Sequence, residues 1–408
     1  MASDDKKTNL VHKEIQLFTS HLESIKETLP LSTFVIEHSL KKRADDFKEF
    51  INKQCEINSK EGGRWVIVKP EHNKIYKIKE CRVDRLKMAK VLLPRSLFVS
   101  MISQYDAYMG RLLKVFFTQR PETIFDSERS FQFKEICKFE TLEEFREDAI
   151  NKEVESILRC SHEEQINQIQ KKFKMSITSS ISSWSNFLEI SERRNLFVHA
   201  DGIVSKRYID LCNKHNLPTD EMIEGKTSLK VSFNYFEQAY KCLYETGLKL
   251  GYLLWRKLLK DDLEVIDDSF NDIVFNLIES DQFDLASDLF GFFCKEGKDK
   301  FHSEKNYLIT VINCAQSHKW AGRNDKCLEI IKDHDWSAKS DDFRLANAVL
   351  NESWNESAEI VKKIGKSLEM ERCYRDWPLF KQLIKQDIFL VTYKSIFEKD
   401  FEIQHKKL

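Results

Sequence analysis

Between Ser191 and Gly202 the chain reads SERRNLFVHADG, which puts two arginines, an amide and a histidine within seven residues, with apolar residues between them. On a helix, Trp184, Phe187, Ile190, Arg194, Phe197 and Val198 share one broad face. Leu188, Glu192, Asn195 and His199 line the adjacent face, so Asn195 and His199 stand one turn apart and can touch one ligand. Arg194 has its stem in the apolar seam, but a guanidinium is long enough to reach around it. A buried cation needs a partner, and Asp106 on an upstream helix is the candidate.

These residue types suit phosphodiester chemistry without a metal. Cleaving RNA requires a proton to leave the ribose 2′-hydroxyl and another to reach the departing 5′-oxygen, and histidine titrates in the range for either transfer. Charge that builds on the phosphoryl oxygens can be met by the forked donors of arginine. An amide can orient the phosphate or the imidazole. One histidine does not easily serve as both acid and base, whereas two copies across a symmetric dimer can divide the roles. Each residue also has a plainer reading. His199 can cap carbonyls at the helix end, the Arg194–Asp106 pair can hold helices together, and Glu192 reads as a solvated helix residue. Asp201-Gly202 reads as the helix stop, with Gly202 left-handed.

The elements that must carry this motif follow from the rest of the chain. At 408 residues it exceeds one compact domain by the usual measure. Six prolines and eleven glycines are too few for the turns of a sandwich or barrel and point to a mostly helical chain. With 65 basic and 66 acidic side chains there is no global field to draw in a polyanion, so any nucleic-acid contact has to be local. The ten cysteines are scattered without a CxxC pair, which gives no zinc-finger spacing. No cofactor or metal is expected. The N-terminus MASDDKKTNL lacks the apolar core of a signal peptide, and no apolar run approaches a membrane span, so a cytoplasmic chain without membrane contact is expected.

Along the chain, residues 8–54 have helical patterning. Trp65, Ile67, Ile75 and Ile78 lie in short β-prone runs split by Pro70-Glu71-His72-Asn73, which predicts a small hairpin. The basic run Lys41-Lys42-Arg43 reads as a solvated face. Pro94 and Ser96 signal the start of an apolar helix through residue 117, with Asp106 inside it. Further helices are expected over 141–159, 162–173, about 185–200 and the long apolar stretch before Leu259. Beyond the acidic boundary DDLEVIDDS, three segments share a register: QFDLASDLF, RNDKCLEII and SWNESAEIV. Phe283, Asn324 and Trp354 each precede a small residue by three (Ala286, Cys327, Ser357) and an apolar residue by seven (Phe290, Ile331, Val361). This fits helix-hairpin repeats, and Trp320, Trp336, Trp354 and Trp377 read as repeat-packing residues.

The run EISERRNLFVHADGIVSKRYI resembles the HEPN family, the higher eukaryotes and prokaryotes nucleotide-binding domains. Its ribonuclease members carry arginine, a polar residue, a short spacer and histidine. The match falls on Arg194, Asn195 and His199, with Arg193 satisfying an alternative five-residue spacer. LPRSLFVSMISQYDAYMGRLLKVFF resembles the upstream HEPN helix, and the likeness spans about residues 90–258. The C-terminal part resembles a tetratricopeptide-type solenoid. Beside the patterning, which gives N-terminal helices and a small β-hairpin over 1–90, the resemblance implies a mostly all-α chain with a HEPN-like bundle over 91–260 and repeats over 261–408. It implies a metal-independent endoribonuclease leaving a 2′,3′-cyclic phosphate, with catalytic Arg194, Asn195 and His199 supported by Asp106, Arg193 and Glu192. It further implies RNA as substrate, a homodimer with a composite site, and an antiviral-defence or toxin role; the pairing with a repeat domain adds the expectation that the repeats dock a regulatory protein. The alternative is a non-catalytic scaffold or a nucleotide- or RNA-binding interaction protein. A third reading makes the domain a substrate for nucleotidyl transfer onto a nearby hydroxyl such as Tyr208.

Overall fold

The structure, a computed structural model, describes residues 9–60, 63–123, 131–219 and 222–402. It is mostly helical, with one two-stranded sheet among the described residues. It divides into two compact units, residues 1–253 and 254–408.

The first unit opens with α1 (Leu10–Gln54), started by the Asn9 side chain accepting from the Val11 N–H at 2.9 Å. Strands β1 (Cys55–Lys60) and β2 (Gly63–Val68) pair antiparallel, with Cys55 opposite Val68. Helix α2 (Asn73–Gln119) then returns along α1. Next come a single turn, α3 (Phe133–Ile136), then α4 (Leu142–Leu158), α5 (His162–Phe173), α6 (Trp184–His199), α7 (Lys206–Lys214) and α8 (Phe233–Leu258), whose last turn belongs to the second unit.

Two expectations change here. The hairpin is one strand earlier than predicted: Trp65 and Ile67 lie in β2, but Ile75 and Ile78 belong to α2. Pro70 opens a helical turn over Pro70–His72 that leads directly into α2, because proline's fixed φ and missing N–H suit a first helical turn. The predicted start at Pro94 and Ser96 is likewise absent, since Pro94 sits inside α2. Proline in a helix interior costs about 3 kcal/mol, and here the helix continues because α1 runs beside it, with Lys90–Glu37 at 2.6 Å and Lys79–Asp46 at 2.5 Å bridging the two. The predicted irregular stretch 120–139 falls partly outside the described residues.

The core of this unit is set by periodicity. Val11, Ile15, Phe18, Leu22 and Leu29 are buried on α1, spaced by three, four or seven residues. Phe98, Ile102, Tyr105, Met109, Leu112 and Phe116 do the same on α2. Between Leu29 and Phe98 only Val83 is buried among the described side chains. The helical pair over residues 30–97 is therefore an arm with almost no core of its own.

Helix α8 closes onto α1 and α2 through two glycines. The Tyr108 hydroxyl donates to the Gly247 carbonyl at 3.1 Å, and Phe18 stacks on Tyr108 at 4.3 Å. A methyl group at Gly247 would run into the Phe18 ring, and one at Gly251 into the Tyr108 hydroxyl. Gly247→Ala is expected to destabilise the chain by about 1–3 kcal/mol through overpacking, read as a lower urea midpoint. An unchanged midpoint would show that the helices separate freely.

The second unit contains three helix pairs: α9 (Leu263–Glu279) with α10 (Phe283–Cys294), α11 (Glu304–Trp320) with α12 (Asn324–Lys332), and α13 (Asp341–Leu350) with α14 (Trp354–Ile364). The three repeated segments begin these second helices. Ala286, Cys327 and Ser357 are buried at the close contacts, as are Phe290, Ile331 and Val361. Trp336 is buried and donates from its indole to the Ile331 carbonyl at 2.7 Å, while Trp354 and Trp377 pack against the same core. Helices α15 (Leu368–Asp376) and α16 (Asp387–Phe397) complete the solenoid. No helix among the described residues is long and apolar enough to cross a membrane.

Candidate functional site

Helix α6 is positioned by burial of Phe187, Leu188, Ile190, Leu196 and Phe197. Its end is fixed by backbone geometry. The Gly202 N–H returns to the Leu196 carbonyl at 3.0 Å, and Asp201 and Gly202 both have positive φ. A side chain at Gly202 would press on the Phe197 ring, which explains the glycine. Arg95 of α2 donates to Asp201 and to the Phe197 carbonyl and lies over the Phe197 ring at 5.0 Å. A cation thus satisfies the negative end of the helix.

The two adjacent arginines diverge. Arg193 turns inward, with 12% of its side chain exposed. It donates to Glu189 Oε1 at 2.7 Å and to the Tyr208 hydroxyl at 2.9 Å, and lies 3.9 Å from the centre of the Tyr235 ring. Tyr208 and Tyr235 both donate to Glu189, the latter at 2.7 Å. Burial, followed by the charge of Glu189, pushes both hydroxyls well above their ordinary pKa. Arg193 therefore belongs to a closed packing network, and the Tyr208 hydroxyl is buried and occupied.

Arg194 turns toward α2. Its Nη2 is 3.6 Å from Asp106 Oδ2, and its Nη1 donates to Asn195 Oδ1 at 3.2 Å. Its Nε is buried without a hydrogen-bond partner among the described residues. The Asp106 pairing expected from sequence is present, but it is long and shared. The other carboxylate oxygen, Oδ1, lies 2.8 Å from His162 Nε2. His162 opens α5, behind a capping box formed by Ser161 and Glu164, with its ring against the edge of Phe187 at 5.6 Å.

Asn195 continues the polar strip by donating to Glu192 Oε2 at 3.3 Å. Glu192 is buried rather than solvated as its sequence position suggests, and Arg207 lies 3.2 Å from its other oxygen. The correction has a simple cause: α7 folds back over this face of α6 and brings Arg207 with it. Val198, placed on the apolar face by helical periodicity, is 49% exposed.

His199 is the last residue of α6 and is exposed. Its ring has no hydrogen-bond or ion-pair partner among the described residues, so it is not capping carbonyls. His162, Asp106, Arg194, Asn195, Glu192 and Arg207 thus form one connected polar strip, with His199 one turn beyond Asn195. Among the described residues no three His, Cys, Asp or Glu side chains gather as a metal site. His162 and Arg207 are the site residues that sequence reasoning missed. His162 is 56 positions from Asp106, and only its place at a helix start was legible.

Chemically, the strip offers a forked cation held loosely enough to turn to an anion, an amide beside it, and an unengaged imidazole at the surface. Comparisons with protein-family models, with curated proteins and with solved structures return no match.

Proposed function

We propose that α6 carries the half-site of a metal-independent endoribonuclease of HEPN type. The observation that carries this reading is the contrast between neighbouring residues. Arg193 is consumed by packing, whereas Arg194 is held by one long, shared ion pair and His199 is unengaged. In the reaction, the ribose 2′-oxygen bonds to phosphorus, the bond from phosphorus to the 5′-oxygen breaks, and the products are a 2′,3′-cyclic phosphate and a 5′-hydroxyl. One imidazole takes the 2′-hydroxyl proton and another delivers a proton to the leaving oxygen. Arg194 stabilises the charge on the non-bridging oxygens, and Asn195 orients the phosphate.

His199 from a second copy supplies the second imidazole. Support for a dimer comes from the surface beside α6. Arg95, which holds Asp201 and the Phe197 carbonyl beside exposed Val198, ties the end of α6 to the base of the arm. There Leu31, Phe34 and Val35 of α1 and Met88, Val91 and Leu92 of α2 are all exposed, Phe34 at 71%. The Lys90–Glu37 bridge sets these two groups side by side. An apolar patch of this kind is a recognised mark of an interface, and a second copy seated on it in two-fold symmetry is the arrangement proposed to pair two α6 ends. The solenoid is assigned the docking of a regulatory partner. An antiviral-defence or toxin role rests on the resemblance of the motif alone.

The test uses the full chain with transfer RNA in EDTA. Wild type is expected to cleave and to sediment as a dimer. Phe34→Asp with Val91→Asp, at sites that are already exposed, is expected to give a folded monomer with cleavage reduced at least about tenfold, since effective concentration and orientation are lost. A monomeric wild type that cleaves equally well would exclude the composite site.

A further inference from the structure

The arm over residues 30–97 differs in charge from the rest of the chain. It carries sixteen Lys and Arg against nine Asp and Glu, a net +7, which leaves −8 for the other 340 residues. A near-neutral protein thus concentrates its positive charge on one element. The excess lies on α2, where residues 73–97 carry eight Lys and Arg against two Asp and Glu, while α1 over 30–54 is nearly balanced at five against four. Those 25 residues of α2 extend for about 37 Å at 1.5 Å per residue.

Between the two helices of the arm is a groove of about 270 Å³ lined by Arg43, Asp46, Lys79 and Arg82. Lys79 is already committed: it pairs with Asp46 at 2.5 Å and lies 5.6 Å from the centre of the Phe50 ring. Arg43 and Arg82 have no ion-pair or hydrogen-bond partner among the described residues. Two unspent guanidiniums across one groove leave it a net +2. Their forked donors match the oxygens of a phosphodiester.

We propose that this arm is a nucleic-acid grip, in which Arg43 and Arg82 clamp a backbone phosphate of single-stranded RNA at a distance from α6. The choice of RNA among polyanions rests on the ribonuclease reading of α6; the binding of a phosphate chain does not. A linear distribution of charge along a rod suits a phosphate backbone better than a flat anionic surface. Arg43 lies eight residues beyond the apolar patch at Val35, about 12 Å further out along α1, so the grip remains open if that patch is covered.

The test measures binding of fluorescein-labelled polyuridine by anisotropy in EDTA, with His199→Ala as the background so that no cleavage intervenes. Adding Arg43→Ala and Arg82→Ala is expected to weaken binding about tenfold at low salt. The slope of log affinity against log salt is expected to fall by about 1.4, two phosphate contacts at about 0.7 each. Unchanged affinity and slope would overturn the proposal. So would loss of binding to phosphatidylserine vesicles with RNA binding intact, which would make the arm a membrane-facing surface. Because binding is read without cleavage, an arm that grips RNA in a protein that never cuts it would sink only the nuclease reading. Cutting that ignores both arginines, with binding unmoved, would sink only the grip.

Discussion

Replacing His199 with alanine is expected to reduce RNA cleavage by at least about 100-fold, since a positioned general acid or base contributes about 10²–10⁴ in rate. The side chain is exposed and unbonded at the end of α6, so folding should be untouched and thermal unfolding should match wild type. Arg194→Ala is expected to cost about 10²–10³ in kcat, the scale for one donor to a developing oxyanion, with KM changed less. Arg194→Lys should recover little, because a point charge does not replace a fork. His162→Ala is expected to fall short of either, by up to about 100-fold, because the ring holds Asp106 at 2.8 Å and acts on Arg194 through it. Small displacements of a positioning group carry penalties of that order. His162→Gln, which can still donate to Asp106, should restore part of the loss. An ordering in which His162→Ala exceeds His199→Ala would relocate the chemistry to α5.

Glu189→Ala is expected to destabilise the first unit by about 3–5 kcal/mol. That is the scale for removing one partner of a buried ion pair. Glu189 is buried and accepts from Arg193, Tyr208 and Tyr235 together. Its loss leaves a buried guanidinium without its counter-charge and two hydroxyls without their acceptor. Guanidinium unfolding followed by circular dichroism would show it, and a midpoint near wild type would mean that the network adds nothing net. The same network carries a pH signature. Both tyrosines have folded-state pKa values raised by burial and by Glu189. Their contribution is therefore full below the unfolded tyrosine value of about 10 and is lost as pH rises above it.

Much of this architecture was legible in the sequence. Apolar periodicity located the helices, and the register of Ala286, Cys327 and Ser357 located the repeats, because a small residue at a helix contact is a local requirement visible in one chain. Asp106 was legible as the partner of Arg194 because a cation rooted in an apolar seam demands one. What failed was local punctuation that tertiary packing overrides. Pro94 reads as a start, yet α1 beside it keeps α2 intact, and Pro70 reads as a turn between strands yet opens a helix. Contacts made across the fold were not legible at all. Nothing in the order of residues places His162 on Asp106 or Arg207 on Glu192, and nothing marks Arg193 as the structural member of an adjacent arginine pair. The exposure of Val198 had the same cause, since helical phase says which residues share a face and not which neighbour is missing from it.

The most direct test of the ribonuclease reading is end-mapping of transfer RNA incubated with the full-length chain in EDTA, beside His199→Ala. New 2′,3′-cyclic phosphate and 5′-hydroxyl ends are expected with wild type and none above background with the variant. Ends of that chemistry that persist at the wild-type rate in His199→Ala would contradict that reading.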